Sequence, residues 1–78
     1  MRAKAEILFE YEDEETAKLV ATLLQIDNEI APKSMGIMTG HRDHLVITDL
    51  THERLNTFFA TIDDLIFSTK IVEDILRM

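Results

Sequence analysis

The stretch His44-Leu45-Val46-Ile47-Thr48-Asp49-Leu50 settles the topology of this chain. Leu45, Val46 and Ile47 are apolar on both faces of an extended segment, which is the pattern of a central strand. Just upstream, Gly40-His41-Arg42-Asp43 has the composition of a hairpin turn, so an antiparallel partner strand is predicted around residues 34–39. Before that, Asp27-Asn28-Glu29-Ile30-Ala31-Pro32-Lys33 reads as a loop. Asn28 favours turns, and Pro32 has a fixed φ and no N–H to donate.

Further back, Ala17, Val20, Ala21 and Leu24 recur at i, i+3, i+4 and i+7, which predicts an amphipathic helix ending near Gln25. Asp13 is its predicted N-cap, and the neighbouring acids suit the positive end of the helix dipole. At the start of the chain, Ala3, Ala5, Ile7, Phe9 and Tyr11 alternate with Lys4, Glu6, Leu8 and Glu10, a half-buried strand. Downstream, Thr51 is predicted to cap a helix that runs to Met78. The order strand, helix, strand, strand, helix gives an α+β fold. Right-handed crossovers and adjacent hairpin strands reduce it to a three-stranded antiparallel sheet, third strand in the middle, both helices on one face.

With 78 residues the chain suffices for one domain, spanning 1–78. A domain of this size buries only about 60% of its unfolded surface and is marginal alone. There is no Cys, so no disulfide and no thiolate metal site can reinforce it, which leaves oligomerisation. Hydrophobic residues at 46% and charged residues at 29% mark a globular chain, and no apolar run approaches a membrane span. The charged N-terminus lacks the apolar core of a signal peptide, and a cytoplasmic setting is expected. A net charge of −7 repels phosphate on average, so any nucleic-acid role must be local or supplied by partners.

The last helix is the most informative element. Leu55, Phe58, Phe59, Ile62, Leu65, Ile66, Val72 and Leu76 fall on one broad face, expected to cover the sheet as core. A second set lies roughly opposite: Ala60, Phe67, Ile71, Ile75 and Met78, with Asp64 among them, near a heptad seam. A helix apolar almost all round is buried on two sides. Burying Phe67, Ile71 and Ile75 stabilises by roughly 1.5–3 kcal/mol each. Ala60, Asp64, Phe67, Ile71, Ile75 and Met78 are therefore the candidate partner interface.

Little else suggests chemistry. His41 and His44 could hold a metal, but two histidines on a turn lack the further ligands a site needs. Arg42 with His41 and His44 makes a small cationic tip, and His41 and Arg42 are the candidate phosphate or tRNA contact. Asp63 and Asp64 point about 100° apart on a helix and cannot act as a facing acid/base pair. The acids from Glu10 to Glu15 form a solvated helix start or a docking site for a basic partner. There is no Gly-rich phosphate loop and no nucleophile pattern, so neither an enzyme nor a cofactor is expected.

Two blocks are more specific: Asp27-Asn28-Glu29 followed by Pro32-Lys33-Ser34, and Ala60-Thr61-Ile62-Asp63-Asp64-Leu65-Ile66. With the element order and the opening Ala3-Lys4-Ala5-Glu6-Ile7, they resemble the Pcc family, the small dimer-forming subunits of the KEOPS complex. The resemblance implies a role in making threonylcarbamoyladenosine in tRNA. It implies a non-catalytic subunit that dimerises and joins two copies of the catalytic threonylcarbamoyltransferase subunit, meeting tRNA through the complex. Family members often carry arginines where this chain has Phe59 and Phe67, as a diverged paralogue would. Such a paralogue would form a heterodimer with a sister Pcc-type subunit, where the ordinary member forms a homodimer. The alternatives are a KH-like RNA-binding module, which would need a Gly-x-x-Gly loop absent here, and a small regulatory α+β domain.

Overall fold

A computed structural model describes residues 1–29 and 36–77. Strand β1 (Ala3–Glu10) shows the predicted alternation, each odd-numbered side chain half-buried and each even-numbered one exposed. Helix α1 (Glu14–Glu29) follows. Its start is capped as expected: the Thr16 N–H donates to Asp13 Oδ1 at 2.7 Å, satisfying one of the orphan N–H groups of the first turn. Strands β2 (Gly36–Arg42) and β3 (Leu45–His52) form the hairpin, and helix α2 (Leu55–Leu76) closes the described chain.

The sheet has order β1-β3-β2, antiparallel throughout. Register places Phe9 opposite Val46 and Ile7 opposite Thr48, with Thr39 on the far side of Thr48. These residues share the face on which both helices sit. Ala17, Val20, Ala21 and Leu24 of α1 meet Val46, Leu65 and Val72 in one core, flanked by Ile7, Phe9, Tyr11 and Leu23. The four residues whose spacing predicted α1 are thus its buried face.

Four boundaries differ from expectation, each for a local reason. First, α1 continues through Asp27, Asn28 and Glu29 instead of ending at Gln25. The Asn28 amide donates to Thr39 Oγ1 at 2.8 Å and to Gln25 Oε1 at 3.2 Å, contacts that outweigh its weak helix propensity. Second, the turn is not Gly40-His41-Arg42-Asp43 but Asp43 and His44 alone, because Arg42 still pairs with Leu45. Asp43 takes φ of 53°, a conformation Asp tolerates better than most residues. His41 and Arg42 therefore belong to β2. Third, Thr51 does not cap α2; it pairs with Lys4 and Gly36 inside the sheet. Fourth, α2 begins at Leu55, where Arg54 is an N-cap without a side-chain cap bond and donates its N–H to His52 Nδ1 at 2.8 Å. The expected loop at Pro32 and Lys33, the Ser34 end of the expected second strand and Met78 lie outside the described residues.

The buried face of α2 also differs. Phe58, Thr61, Leu65, Thr69 and Val72 are buried, while Leu55, Phe59, Ile66 and Leu76 are exposed. The helix is turned so that two threonines enter the core. Their hydroxyls donate to Thr57 O and Leu65 O at 2.8 Å, so burial leaves no polar atom unsatisfied. Leu55 and Leu76 sit at the ends of a helix of 22 residues, about 33 Å long, which overhangs 8-residue strands of about 27 Å.

Candidate functional site

The exposed surfaces divide by element. The sheet has two edges, and they are treated differently. At β2, the Thr39 N–H points away from β3 and donates to Gln25 Oε1 at 2.8 Å. Thr39 Oγ1 in turn bonds Thr48 Oγ1 at 2.8 Å. Side chains of α1 thus occupy the middle of that edge and obstruct strand addition. At β1 the Tyr11 N–H donates to His44 O at 2.9 Å. Alternation then turns the backbone groups of Lys4, Glu6, Leu8 and Glu10 outward. Among the described residues no backbone hydrogen bond reaches that edge. Gln25, Asn28, Thr39 and Thr48 were not singled out from the sequence as one network, because the bonds that join α1 to β2 span eleven and fourteen residues.

Helix α2 presents two apolar flanks on either side of its buried face. The Tyr11 hydroxyl, at the end of edge strand β1, donates to Glu73 Oε2 at 2.7 Å. The Glu73 side of α2 therefore faces β1. At 100° per residue, Phe59, Ile62 and Ile66 lie on that same side. Phe59 is 56% exposed and Ile66 52%. This flank and the free strand edge thus lie on the same side of the domain.

The opposite flank carries the predicted seam. Phe67 is 64% exposed and Ile75 55%; Ile71, Ala60 and Asp64 are exposed too. Being opposite Glu73, this flank faces α1. Gln25 marks the side of α1 that faces β2; at 100° per residue Leu23 lies on the other side, while Leu19 and Ile26 lie nearly opposite the buried face. Leu19 and Ile26 are exposed. Both helices thus leave apolar side chains at the surface, Leu19 and Ile26 on α1 and Phe67 and Ile71 on α2. The sequence signalled the seam by its spacing. It gave no sign that Phe59 and Ile66 form a second surface, since they fit the core period equally well.

An open cavity of about 1010 Å³ lies between the β1–α1 connection, the start of α1 and the last turn of α2. Glu10, Glu12, Asp13, Glu15 and Glu73 line it, with Leu19, Val20 and Leu76 as apolar lining and His44 and Arg77 as its basic side chains. His44 Nε2 is 2.9 Å from Glu10 Oε2. Hydrogen bonds from Thr16 hold the Asp13 carboxyl below its usual range. Burial, with the bond to Glu73, holds the Tyr11 hydroxyl well above the usual tyrosine range.

His41 and Arg42 do not form one cationic tip with His44. Strand alternation sends their side chains to opposite faces of the sheet, and His44 is engaged by Glu10. Among the described residues no three His, Asp or Glu side chains come together as a metal-binding group, and no helix is long and apolar enough to cross a membrane.

No protein-family profile matches this chain, and no curated protein sequence matches it. Its fold is nevertheless shared with a solved structure. A chain in the crystal structure of the Gon7–Pcc1 binary complex superposes with a TM-score of 0.83, over 96% of this chain and 93% of that one, at 13% identity. The Pcc-type fold expected from the sequence is the fold found.

Proposed function

We propose that this chain is a non-catalytic assembly subunit of a KEOPS-type complex, bridging catalytic subunits for threonylcarbamoyladenosine modification of tRNA. One observation carries the reading: strand β1 has a free edge, and the side of α2 turned toward it carries exposed Phe59 and Ile66 with half-buried Ile62. A partner of the same fold can continue both layers at once, pairing its strand with β1 and its helix with α2. The fold is that of a chain solved inside a two-protein complex with a Pcc-type member, which supports such a partner.

The partner is a sister subunit rather than a second copy. A homodimer would double a net charge of −7 in one small assembly, and self-repulsion opposes that. The flank on the other side of α2, with Phe67, Ile71 and Ile75 exposed, then remains open. Amphipathic helices dock on apolar surfaces through regularly spaced anchors, so this flank suits helices of the catalytic subunit. Two opposed flanks on one helix give a bridge: one flank pairs the small subunits, the other holds a catalytic subunit.

The test mixes purified chain with a candidate sister subunit and the catalytic subunit of the same source, and measures masses by light scattering. A one-to-one heterodimer that also recruits the catalytic subunit is expected. Phe67→Asp should remove the catalytic subunit and leave the heterodimer. A chain that stays monomeric with both partners present would sink the proposal, and salt-sensitive tRNA binding by the chain alone would favour the KH-like reading instead.

A further inference from the structure

We infer that the face of the sheet turned away from the helices is a docking surface of its own, and that it takes an amphipathic helix of a protein partner whose apolar stripe is bordered by lysine or arginine.

The run Leu45-Val46-Ile47 has the pattern of a strand buried on both faces, yet the chain covers only one of them. Val46, Thr48 and Leu50 are buried on the helix side. Alternation turns Leu45, Ile47, Asp49 and Thr51 to the other face. Both helices lie on the helix side, so among the described residues no element packs over this one. Register supplies the neighbours. Ile47 lies between Leu8 of β1 and Gly40 of β2. Gly40 has open space where a Cβ would stand, so nothing shields Ile47 on that side. Leu8 and Met38 are exposed. Leu8, Ile47, Leu45 and Met38 thus make one apolar patch across all three strands, on a face that an antiparallel sheet ordinarily gives to polar side chains.

The next row of the same face carries the charge. Glu6 and Asp49 stand directly opposite each other, with Met38 on the far side of Asp49. Like charges so placed destabilise a sheet, and neither carboxylate has an ion pair or hydrogen bond among the described residues. Between them and the Lys4–Thr51 pair lies an open hollow of about 350 Å³, wide enough for an ammonium or guanidinium group. The two cations of the face, Lys4 and Arg42, sit in its outer rows.

The occupant follows from these two rows. The strands' backbone groups are used in the ladders, so a covering element must pack through side chains. A helix does this with its own backbone satisfied, and helices are what stack on sheet faces. Its stripe would lie on Leu8, Ile47 and Met38, and a bordering cation would reach Glu6 and Asp49. A phosphate backbone is repelled by a chain of net charge −7, and a second copy would bring that charge with it.

Two synthetic helical peptides with the same leucine stripe serve as probes, one bordered by lysines and the other by glutamates. They are titrated into the full chain and followed by methyl NMR. The lysine peptide should move the methyl signals of Leu8, Met38, Leu45 and Ile47, and bind about fivefold to thirtyfold more tightly than the glutamate peptide. The preference should shrink at high salt. Glu6→Gln with Asp49→Asn should erase it. Glu12→Gln with Glu53→Gln makes the same charge change at exposed positions off this face, and should leave most of it. Leu8→Thr with Met38→Thr should weaken both peptides. Equal loss of the preference in the two charge variants would mean attraction to net charge alone and would overturn the inference. Shifts confined to the methyls of Ile66, Ile71 and Ile75 would overturn it while sparing the reading of α2, and so would binding of neither peptide. Self-association of the chain that moves the Leu8 and Ile47 methyls without peptide would give the face to a second copy and overturn it as well.

Discussion

Replacing Phe59 with Asp separates folding from assembly. Phe59 is 56% exposed, and its ring lies edge-on to buried Phe58 at 5.8 Å between centroids. Complete burial of a large apolar side chain is worth about 1.5–3 kcal/mol. Roughly half of that remains to be gained when a partner covers it, so about 1–1.5 kcal/mol of pairing energy is lost with the ring. The introduced carboxylate would also be desolvated beside a strand edge, costing several kcal/mol more if it stays charged and unpaired. A total near 3 kcal/mol or above is a loss of about a hundredfold or more in affinity. The isolated chain should lose little stability, because the removed surface is mostly wet already; exposed substitutions usually fall within about 0.5 kcal/mol, with the Phe58 contact adding a little more. Sedimentation of the chain with the proposed sister subunit measures the first quantity, and thermal unfolding of the chain alone measures the second. A dissociation constant changed by less than about threefold would refute the placement of this flank in the interface. Unfolding of the variant alone would show instead that Phe59 belongs to the core.

Other perturbations probe the network and the ends. Gln25→Leu removes the acceptor for the part-buried Thr39 N–H, and should cost about 1–3 kcal/mol in urea unfolding while leaving β2 open to aberrant strand pairing on size exclusion. Tyr11→Phe deletes the hydroxyl that ties β1 to α2 and should cost about 1–2 kcal/mol by the same measurement. The Tyr11 pKa is raised on folding, so the native state retains its proton longer, and stability should fall as pH rises above about 10; the Phe variant should lack this alkaline loss. Asp13 behaves oppositely. Its pKa is lowered on folding, so its contribution is present above the ordinary Asp range and lost as pH falls through the folded value; Asp13→Asn, which keeps a capping oxygen, should flatten the acid limb of the stability curve.

How much of this was legible in the sequence depended on whether the deciding interaction was local. The alternation of Ala3 to Tyr11, the four-residue face of α1, the Asp13 cap and the central position of Leu45-Val46-Ile47 all rest on neighbours in sequence, and all appear in the structure. The misplaced boundaries rest on distant contacts. Asn28 reads as a turn residue until Thr39 is beside it, and Thr51 reads as a cap until Lys4 and Gly36 pair with it. Gly40 invites a turn, yet it lies opposite Ile47 with open space where a Cβ would be; permission to turn is not a requirement to turn.

The long helix shows why periodicity alone misassigned its faces. An apolar pattern around nearly the whole circumference fits several rotations about equally well. The observed rotation buries Thr61 and Thr69, whose hydroxyls bond back to their own helix, and leaves Phe59, Ile66 and Phe67 outside. For an isolated domain that choice is unfavourable, since apolar side chains are wet while threonines are dry. It becomes reasonable if the outer flanks are covered in an assembly, because the two threonines then lie at the one sector that needs no partner's surface. The apolar residues this domain leaves at its surface are thus the ones an assembly would cover: Phe59 and Ile66 on the β1 side of α2, and Phe67, Ile71 and Ile75 on the opposite flank.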